Sequence, residues 1–416
     1  MESKTQFEVT VVDAIMGTGK TTWAINYMKA NKDEDFIFIT PYIEETERIR
    51  NESLPERDFI LPRRTGPDSG KLDNFIQHIS YGDDIASTHE LFKRFNERTK
   101  SKLTNSPGRY TLIIDETLDV VVPVNIKTSD IKLCIEKGLI KINEDGVCEW
   151  VYDVAHYDGV LEDVKQIAET GNMVCVKDTF FLWRLDPEIF NPLYFSKVIV
   201  LTYLFDGSVM KAYFDYYGIS YEKVSIREGQ IVPYYEPDIT EIAKLVNLYK
   251  GPLNDSFEQK PSSLSATWYK DRNNEKEISR LRKNMDNYFK NIIKASADKI
   301  LWSTFLSPTS TERHFKSAFG ETRYDAHFVS CNVKGTNKYA NCNTVAYMIN
   351  VFLNPGIQHF FAQRDLKVNA SLYALQYMLQ WIWRSCIRNN KPINIYVPSD
   401  RMRRLFKCWL ENKNIN

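Results

Sequence analysis

Apolar and polar residues alternate in blocks along the first half of the chain. Short blocks rich in β-branched and aromatic residues recur, and such continuous apolar runs are typical of buried parallel strands. Longer blocks of mixed character separate them and predict helices. The predicted strands are 7–13, 36–39, 111–114 and 198–201, and the predicted helices are 21–29 and 44–50. Strands that alternate with helices predict an α/β fold built on a parallel sheet.

The pattern changes twice, and these changes divide the chain. Between about 120 and 172 a helical stretch gives way to a polar, acidic run, which predicts a subdomain inserted into the first α/β domain. From about 227 to 274 there are four prolines and many polar residues, which is typical of a connection. A charged helix and an apolar strand follow. We therefore predict domain 1 at 1–226, a linker and connecting helix at 227–298, and domain 2 at 299–416.

Bulk composition narrows the class of protein. Hydrophobic residues make up 43% of the 416 positions and charged residues 26%, which is the balance of a folded chain. Lys and Arg equal Asp and Glu at 54 each, which excludes a histone-like binder but permits a local basic cleft. The seven cysteines form no C-x-x-C pair, so we expect no zinc ribbon or iron–sulfur cluster. Without a signal-peptide pattern or a membrane-spanning run, we expect a cytoplasmic protein with no membrane partner, in the host cytoplasm if it is viral.

The clearest local motif is AIMGTGKT, from Ala14 to Thr21. It matches the phosphate-binding loop G-x-x-x-x-G-K-[ST], except that Ala14 replaces the first glycine. A glycine-bearing turn between a strand and a helix directs backbone N–H groups at one point, and the helix N-terminus adds positive potential. We expect Lys20 to reach the β- and γ-phosphates of ATP and the Thr21 hydroxyl to ligate Mg²⁺. The predicted nucleotide-binding residues are Gly17, Thr18, Gly19, Lys20, Thr21 and Thr22.

A second motif, TLIIDE, ends a predicted strand in two adjacent acids about ninety residues later. Asp115 is placed to hold Mg²⁺, and Glu116 to polarise the attacking water as a general base. Alone, such a run also fits a solvated turn, but after a phosphate-binding loop it predicts the second half of a nucleotide site.

These motifs occur in the order found in superfamily 2 helicases, and most of the chain resembles the compact DEAD-like helicases encoded by bacteriophages. The segment ITP at 39–41 resembles motif Ia, STH at 87–89 the threonine-bearing segment that precedes motif II, and LTY at 201–203 motif III. Motif II is DETL here. The resemblance implies nucleic-acid contact or coupling roles for Thr40, Thr88 and Thr202. An ordinary strand-end or cap threonine is the alternative for each.

One segment in the second half of the chain resembles motif V. The segment KGTN at 334–337 resembles that motif, which in the family meets both nucleic acid and nucleotide. The resemblance therefore implies nucleic-acid or coupling roles for Thr336 and Asn337.

The segment QWIWRSCIR at 380–388 resembles motif VI, Q-x-x-G-R-x-x-R. Trp383 replaces the glycine, and the last arginine comes one residue late. The resemblance gives catalytic roles to Gln380, Arg384 and Arg388. One-turn spacing predicts both arginines on one helix face, aimed at a shared anion. A pair of solvated helix arginines is the alternative.

The resemblance as a whole implies an ATP-dependent helicase or translocase that acts in phage replication, recombination or repair. It also implies two RecA-like domains, ATP and Mg²⁺ as cofactors, and nucleic acid as partner. DNA is favoured over RNA only because the phage-type likeness points there. A packaging-type motor is a weaker alternative, since the acids after 299 are sparse and form no pair at a strand end. A nucleotide-gated module that binds or remodels nucleic acid without unwinding is the other alternative.

Overall fold

The computed structural model describes residues 8–66, 69–106, 109–152, 159, 161–254, 261–331 and 338–415. They form two compact units. The first unit contains the chain up to Ala14, then Gly19–Tyr235 and Leu353–Val368; the second contains Ile15–Thr18, Glu236–Phe352 and the chain from Asn369 onward. No helix in these ranges is long and apolar enough to cross a membrane.

Strands in the described ranges are short and mostly buried. They are β1 Val9–Asp13, β2 Asp35–Thr40, β3 Ile85–Thr88, β4 Tyr110–Asp115, β5 Val121–Pro123, β6 Ile140–Ile142, β7 Cys148–Trp150, β8 Met173–Val176, β9 Phe180–Arg184, β10 Phe195–Thr202, β11 Tyr221–Arg227, β12 Gln230–Pro233, β13 Val246–Leu248, β14 Ile300–Ser303, β15 Thr344–Tyr347 and β16 Ile393–Tyr396.

Helices separate most of these strands. They are α1 Lys20–Ala30, α2 Ile43–Ser53, α3 Lys71–Tyr81, α4 His89–Phe92, α5 Glu97–Thr104, α6 Thr128–Glu136, α7 Glu162–Glu169, α8 Val209–Tyr217, α9 Thr240–Leu245, α10 Ala266–Lys270, α11 Glu275–Asn287, α12 Arg313–Phe319, α13 Pro355–Ala362, α14 Ala370–Ile382 and α15 Asp400–Leu410.

The main sheet of the first unit has seven strands in the order β12-β11-β1-β10-β4-β2-β3. Every neighbouring pair is parallel except β11 and β12. The apolar runs predicted from sequence lie at its centre, and their side chains form one core with α1 and α2. One strand, β10, separates β1 from β4. Because these strands are parallel, the segments that follow them meet at one edge of the sheet.

An inserted subdomain follows β4. Strand β9 pairs antiparallel with both β5 and β8, and β6 pairs with β7. Together with α6 and α7 they enclose a separate small core. The predicted insertion ended near residue 172, where the polar run stops. In the structure it continues through β9 to Arg184, because this strand completes the sheet that β5 begins.

The second unit has a parallel sheet in the order β13-β16-β15-β14. Helices α10, α11 and α12 pack on it, and the large aromatic side chains Trp302, Tyr269 and Tyr288 are fully buried among them. Two α/β units with largely parallel sheets agree with the fold class predicted from the sequence.

The predicted linker at 227–298 differs from the structure. Strand β12 extends the first sheet, whereas β13, α10 and α11 belong to the second unit. The reason is packing: Trp268, Ile278 and Leu281 are buried in the second core, although the segment that carries them is polar overall.

A segment from the second half of the sequence belongs to the first unit. Residues Leu353–Val368 contain α13, which packs on β5, β9 and α8. Phe360 stacks on Tyr216 with ring centroids 4.8 Å apart, and Arg364 Nη1 donates to the Tyr216 carbonyl oxygen across 2.7 Å. A Cβ added at Gly356 would lie 2.8 Å from the Phe180 ring, so this close approach needs glycine.

Candidate nucleotide site

The phosphate-binding loop joins β1 to α1. Gly17 and Gly19 have φ of 85° and 87°, a region that favours glycine. Helix α1 begins at Lys20 with no acidic residue in its first turn, so its N-terminal N–H groups keep their positive potential. Lys20 is buried, and its Nζ donates to the carbonyl oxygen of Ala14. Thr18 Oγ1 donates to the Ile15 carbonyl oxygen across 2.8 Å.

The acidic pair lies at the carboxyl end of β4. Thr21 Oγ1 donates to Asp115 Oδ2 across 3.4 Å, although 94 positions separate the two residues. Glu116 has φ of 65°, which is uncommon for a residue with a side chain. Its backbone N–H donates to the Leu201 carbonyl oxygen across 2.9 Å. The structure thus brings Lys20, Thr21, Asp115 and Glu116 to one edge of the sheet.

Burial raises the pKa of Asp115 to about 7. The neighbouring Glu116 carboxylate contributes to this rise, and Lys20 opposes it. A buried carboxylate beside a threonine hydroxyl offers two hard oxygen ligands, and a divalent cation there would stabilise the ionised carboxylate. The residues present therefore fit Mg²⁺, held by Thr21 and Asp115.

The three coupling threonines predicted in the first unit end β2, β3 and β10. Thr40 pairs in register with Thr88, and Thr202 with Asp13. The side-chain hydroxyls of Thr40 and Thr202 are buried and have no hydrogen-bond partner among the described residues. Thr88 Oγ1 instead accepts from the Leu91 backbone N–H across 3.4 Å and caps α4.

The predicted motif V residues, Thr336 and Asn337, lie outside the described residues. The predicted motif VI residues belong to the second unit. Gln380 lies in α14, which ends at Ile382.

The prediction that Arg384 and Arg388 share a helix face is wrong. The chain leaves α14 after Ile382 and turns into a separate 3₁₀ helix, Cys386–Asn389. Arg384 is buried, and its Nη1 donates to the Ser330 carbonyl oxygen across 3.3 Å, whereas Arg388 is exposed. One-turn spacing places two residues on one face only where a single helix contains both, and here α14 ends before Arg384.

One buried acid next to the loop was not predicted. Asp13, the last residue of β1, is 4% exposed, and its carboxylate accepts the backbone N–H groups of Leu204 and Phe205 across 2.9 and 3.0 Å. A signal was present in the sequence, since an acid that ends an apolar strand just before a phosphate-binding loop needs buried partners.

The sequence matches two family models. Residues 240–410 match the YonV C-terminal Rossmann-like domain, and residues 121–183 match the YonV middle domain. The SPbeta prophage-derived uncharacterized protein YonV of Bacillus subtilis (strain 168) is 36% identical over 422 residues. The alignment covers 97% of this chain and 99% of that protein. The chain belongs to the YonV family.

The YonV middle domain corresponds to the inserted subdomain, β5 to β9. Among solved structures, Xpd4 of S. tokodaii is 12% identical, with a TM-score of 0.48 over 97% of this chain and 94% of that chain. The DNA-bound DUF1998 helicase MrfA is 11% identical, with a TM-score of 0.36 over 99% of this chain and 50% of that chain. Both scores are below 0.5, so the YonV relationship and the geometry carry the argument.

Proposed function

We propose that the chain is an ATP-hydrolysing motor of the helicase type that is stimulated by nucleic acid, with DNA as the favoured substrate. One observation carries the proposal: Lys20, Thr21 and Asp115 converge at the carboxyl edge of one parallel sheet, with Thr21 Oγ1 3.4 Å from Asp115 Oδ2. A buried lysine, a helix N-terminus and two oxygen ligands together suit a polyphosphate that carries Mg²⁺. The prophage origin in the relative's name supports a role in phage DNA metabolism.

Each residue has a separate task in this proposal. Backbone N–H groups of 17–22 bind the phosphates, and Lys20 leaves the Ala14 carbonyl oxygen to reach the β- and γ-phosphates. Thr21 and Asp115 would hold Mg²⁺, which supplies charge neutralisation at these phosphates. Glu116, at a strained backbone position, orients the attacking water and accepts its proton.

The transferred phosphoryl group also needs positive charge in its transition state. Arg384 and Arg388 are the candidates, and Gln380 would position the water or the phosphate. Nucleic acid would contact Thr40, Thr88, Thr336 and Asn337 through its phosphate backbone. Binding should then weaken with salt and depend little on sequence.

ATP hydrolysis by the full chain tests the proposal, with no nucleic acid, single-stranded DNA, duplex DNA or RNA. We expect single-stranded DNA to stimulate the rate of hydrolysis by at least about tenfold. The substitutions Lys20→Ala and Glu116→Gln should each abolish hydrolysis. Only Lys20→Ala should weaken nucleotide binding, because Glu116 acts on water. Failure of the folded protein to hydrolyse ATP under every condition would overturn the proposal.

A strand-displacement assay then separates unwinding from simple nucleotide gating. We expect ATP-dependent release of a labelled strand from a tailed DNA duplex, and none with Glu116→Gln. Stimulated hydrolysis without strand release would identify a translocating or remodelling ATPase instead.

A further inference from the structure

Asp13 links the start of the phosphate-binding loop to a turn on the neighbouring strand. It ends β1, one residue before Ala14, and its side chain is buried. Its two carboxylate oxygens accept the backbone N–H groups of Leu204 and Phe205, which follow β10. Leu204 has φ of 57°, so the two successive N–H groups converge on one anion.

Burial of a carboxylate is unfavourable unless hydrogen bonds or nearby cations compensate for the lost hydration. The pKa of Asp13 is raised to about 6, because burial outweighs the opposing effect of the two backbone hydrogen bonds and of the nearby Lys223 and Lys20. An asparagine has only one acceptor oxygen and could not accept both N–H groups in the same way. The charge therefore serves to hold the turn.

The same end of β10 also contacts both halves of the nucleotide site through its backbone. The Ala14 N–H donates to the Thr202 carbonyl oxygen across 3.0 Å, and the Glu116 N–H donates to the Leu201 carbonyl oxygen across 2.9 Å. A shift of the loop at Ala14 would therefore displace the turn after Thr202.

We infer that Asp13 is a positioning residue that couples the nucleotide loop to the Leu204–Phe205 turn. Its carboxylate fixes the position of this turn relative to Ala14. A change of the bound nucleotide that moves the loop would therefore also move the segment after Thr202. The inference rests on the proposed function, because it assigns a coupling role within the same nucleotide site. Asp13 contacts no part of the nucleotide in this role and is not a catalytic residue.

The test compares Asp13→Asn and Asp13→Ala with Asp84→Asn in the full chain. Asp84 is a control at the opposite end of the strands, because its largely buried carboxylate also accepts a backbone N–H, that of Phe36 across 2.8 Å, in addition to its ion pair with Arg57. We expect both Asp13 variants to bind a fluorescent ADP analogue within about threefold of the wild type. Stimulation of hydrolysis by single-stranded DNA should fall by about tenfold or more, with Asp13→Asn retaining more of it than Asp13→Ala.

Amide hydrogen exchange supplies a second readout that does not need hydrolysis. Addition of ADP should change the protection of the Leu204 and Phe205 amides in the wild type and in Asp84→Asn, and should leave it unchanged in Asp13→Ala. If stimulation falls only in proportion to thermal stability in all variants, Asp13 is structural and the inference fails while the proposed function stands. If the wild type never hydrolyses ATP, the proposed function fails, and the exchange response alone decides the inference.

Discussion

His89 Nε2 donates a hydrogen bond to the backbone carbonyl oxygen of Asp115 across 2.9 Å. The histidine is buried at the start of α4, and it supports the strand end that carries both acids. Because the ring binds a backbone oxygen of this strand end, His89 is a structural partner of the nucleotide site.

We expect His89→Ala to lower the free energy of unfolding by about 1–3 kcal/mol, because a buried carbonyl loses its donor. Hydrolysis should fall less than with Glu116→Gln, since the His89 ring binds the backbone carbonyl oxygen of Asp115, whereas Glu116 is the proposed general base. Denaturant titration and steady-state ATPase rates measure the two effects, with His327→Ala as a control. A stable His89→Ala protein as inactive as Glu116→Gln would instead make the histidine catalytic.

The backbone at Glu116 gives a prediction that separates strain from chemistry. At φ of 65°, the Cβ atom of alanine is in steric conflict with the backbone, whereas glycine has no Cβ atom. We expect Glu116→Gly to be more stable than Glu116→Ala by about 1 kcal/mol, while neither hydrolyses ATP. Thermal unfolding measures the difference, and the same pair of substitutions at Lys177, φ 51°, is the control. Equal stability of the two Glu116 variants would contradict the left-handed backbone.

The raised pKa of Asp115 has a defined sign for stability. The pKa of the folded carboxyl group is about 7, whereas in the unfolded chain the group ionises near its ordinary pKa of 3.8. Its stabilising contribution is therefore complete below about pH 4 and is lost as the pH rises to about 7. Asp115→Asn should flatten this part of the profile of unfolding free energy against pH. Mg²⁺ with ADP should restore wild-type stability above pH 7, and identical profiles for wild type and variant would refute the assignment.

The two arginines after α14 should differ in their effect on folding. Arg384→Ala should lower the free energy of unfolding by about 2 kcal/mol, because it removes a buried side chain that donates to the partly buried Ser330 carbonyl oxygen. Arg388 is exposed, so Arg388→Ala should change stability by less than about 0.5 kcal/mol. Hydrolysis should fall by at least about tenfold in each. If Arg388→Ala hydrolyses ATP at the wild-type rate, Arg388 is a solvated surface arginine and Arg384 alone remains a candidate.

The nucleotide loop and the acidic pair could be located in the sequence because their chemistry fixes residue types and spacing. Two parallel strands that end at one edge are enough to bring Thr21 near Asp115, whatever lies between them. The partners of Asp13 could not be predicted, because they are backbone N–H groups almost two hundred positions away and carry no residue signature.

The division between the units was harder to predict for a different reason. Strand β13 has only three residues, one of them Asn247, and gives no periodicity to detect. The segment containing α10 and α11 is polar along most of its length, so its few buried aromatic and aliphatic residues were outweighed. The average polarity of a sequence window does not reveal a core that is made of a few widely spaced apolar side chains.

Residues 353–368 have a consequence for how the chain can be divided. The segment follows β15 in sequence, yet its Ile357, Phe360 and Phe361 are buried in the first unit. We expect a protease site inserted between Tyr235 and Glu236 to yield two fragments that stay together on gel filtration after cleavage. Adding Phe360→Ala and Arg364→Ala should weaken this association, whereas Lys244→Ala should not. Immediate separation of the cut wild-type fragments would contradict the packing of α13.

The first unit is completed by a segment from the second half of the chain. Residues 353–368 are synthesised only after three of the four strands of the second sheet. On the ribosome, the first unit cannot finish its core until Val368 has emerged, although all of its other residues precede 236. The two units therefore cannot fold one after the other as two consecutive segments of the chain.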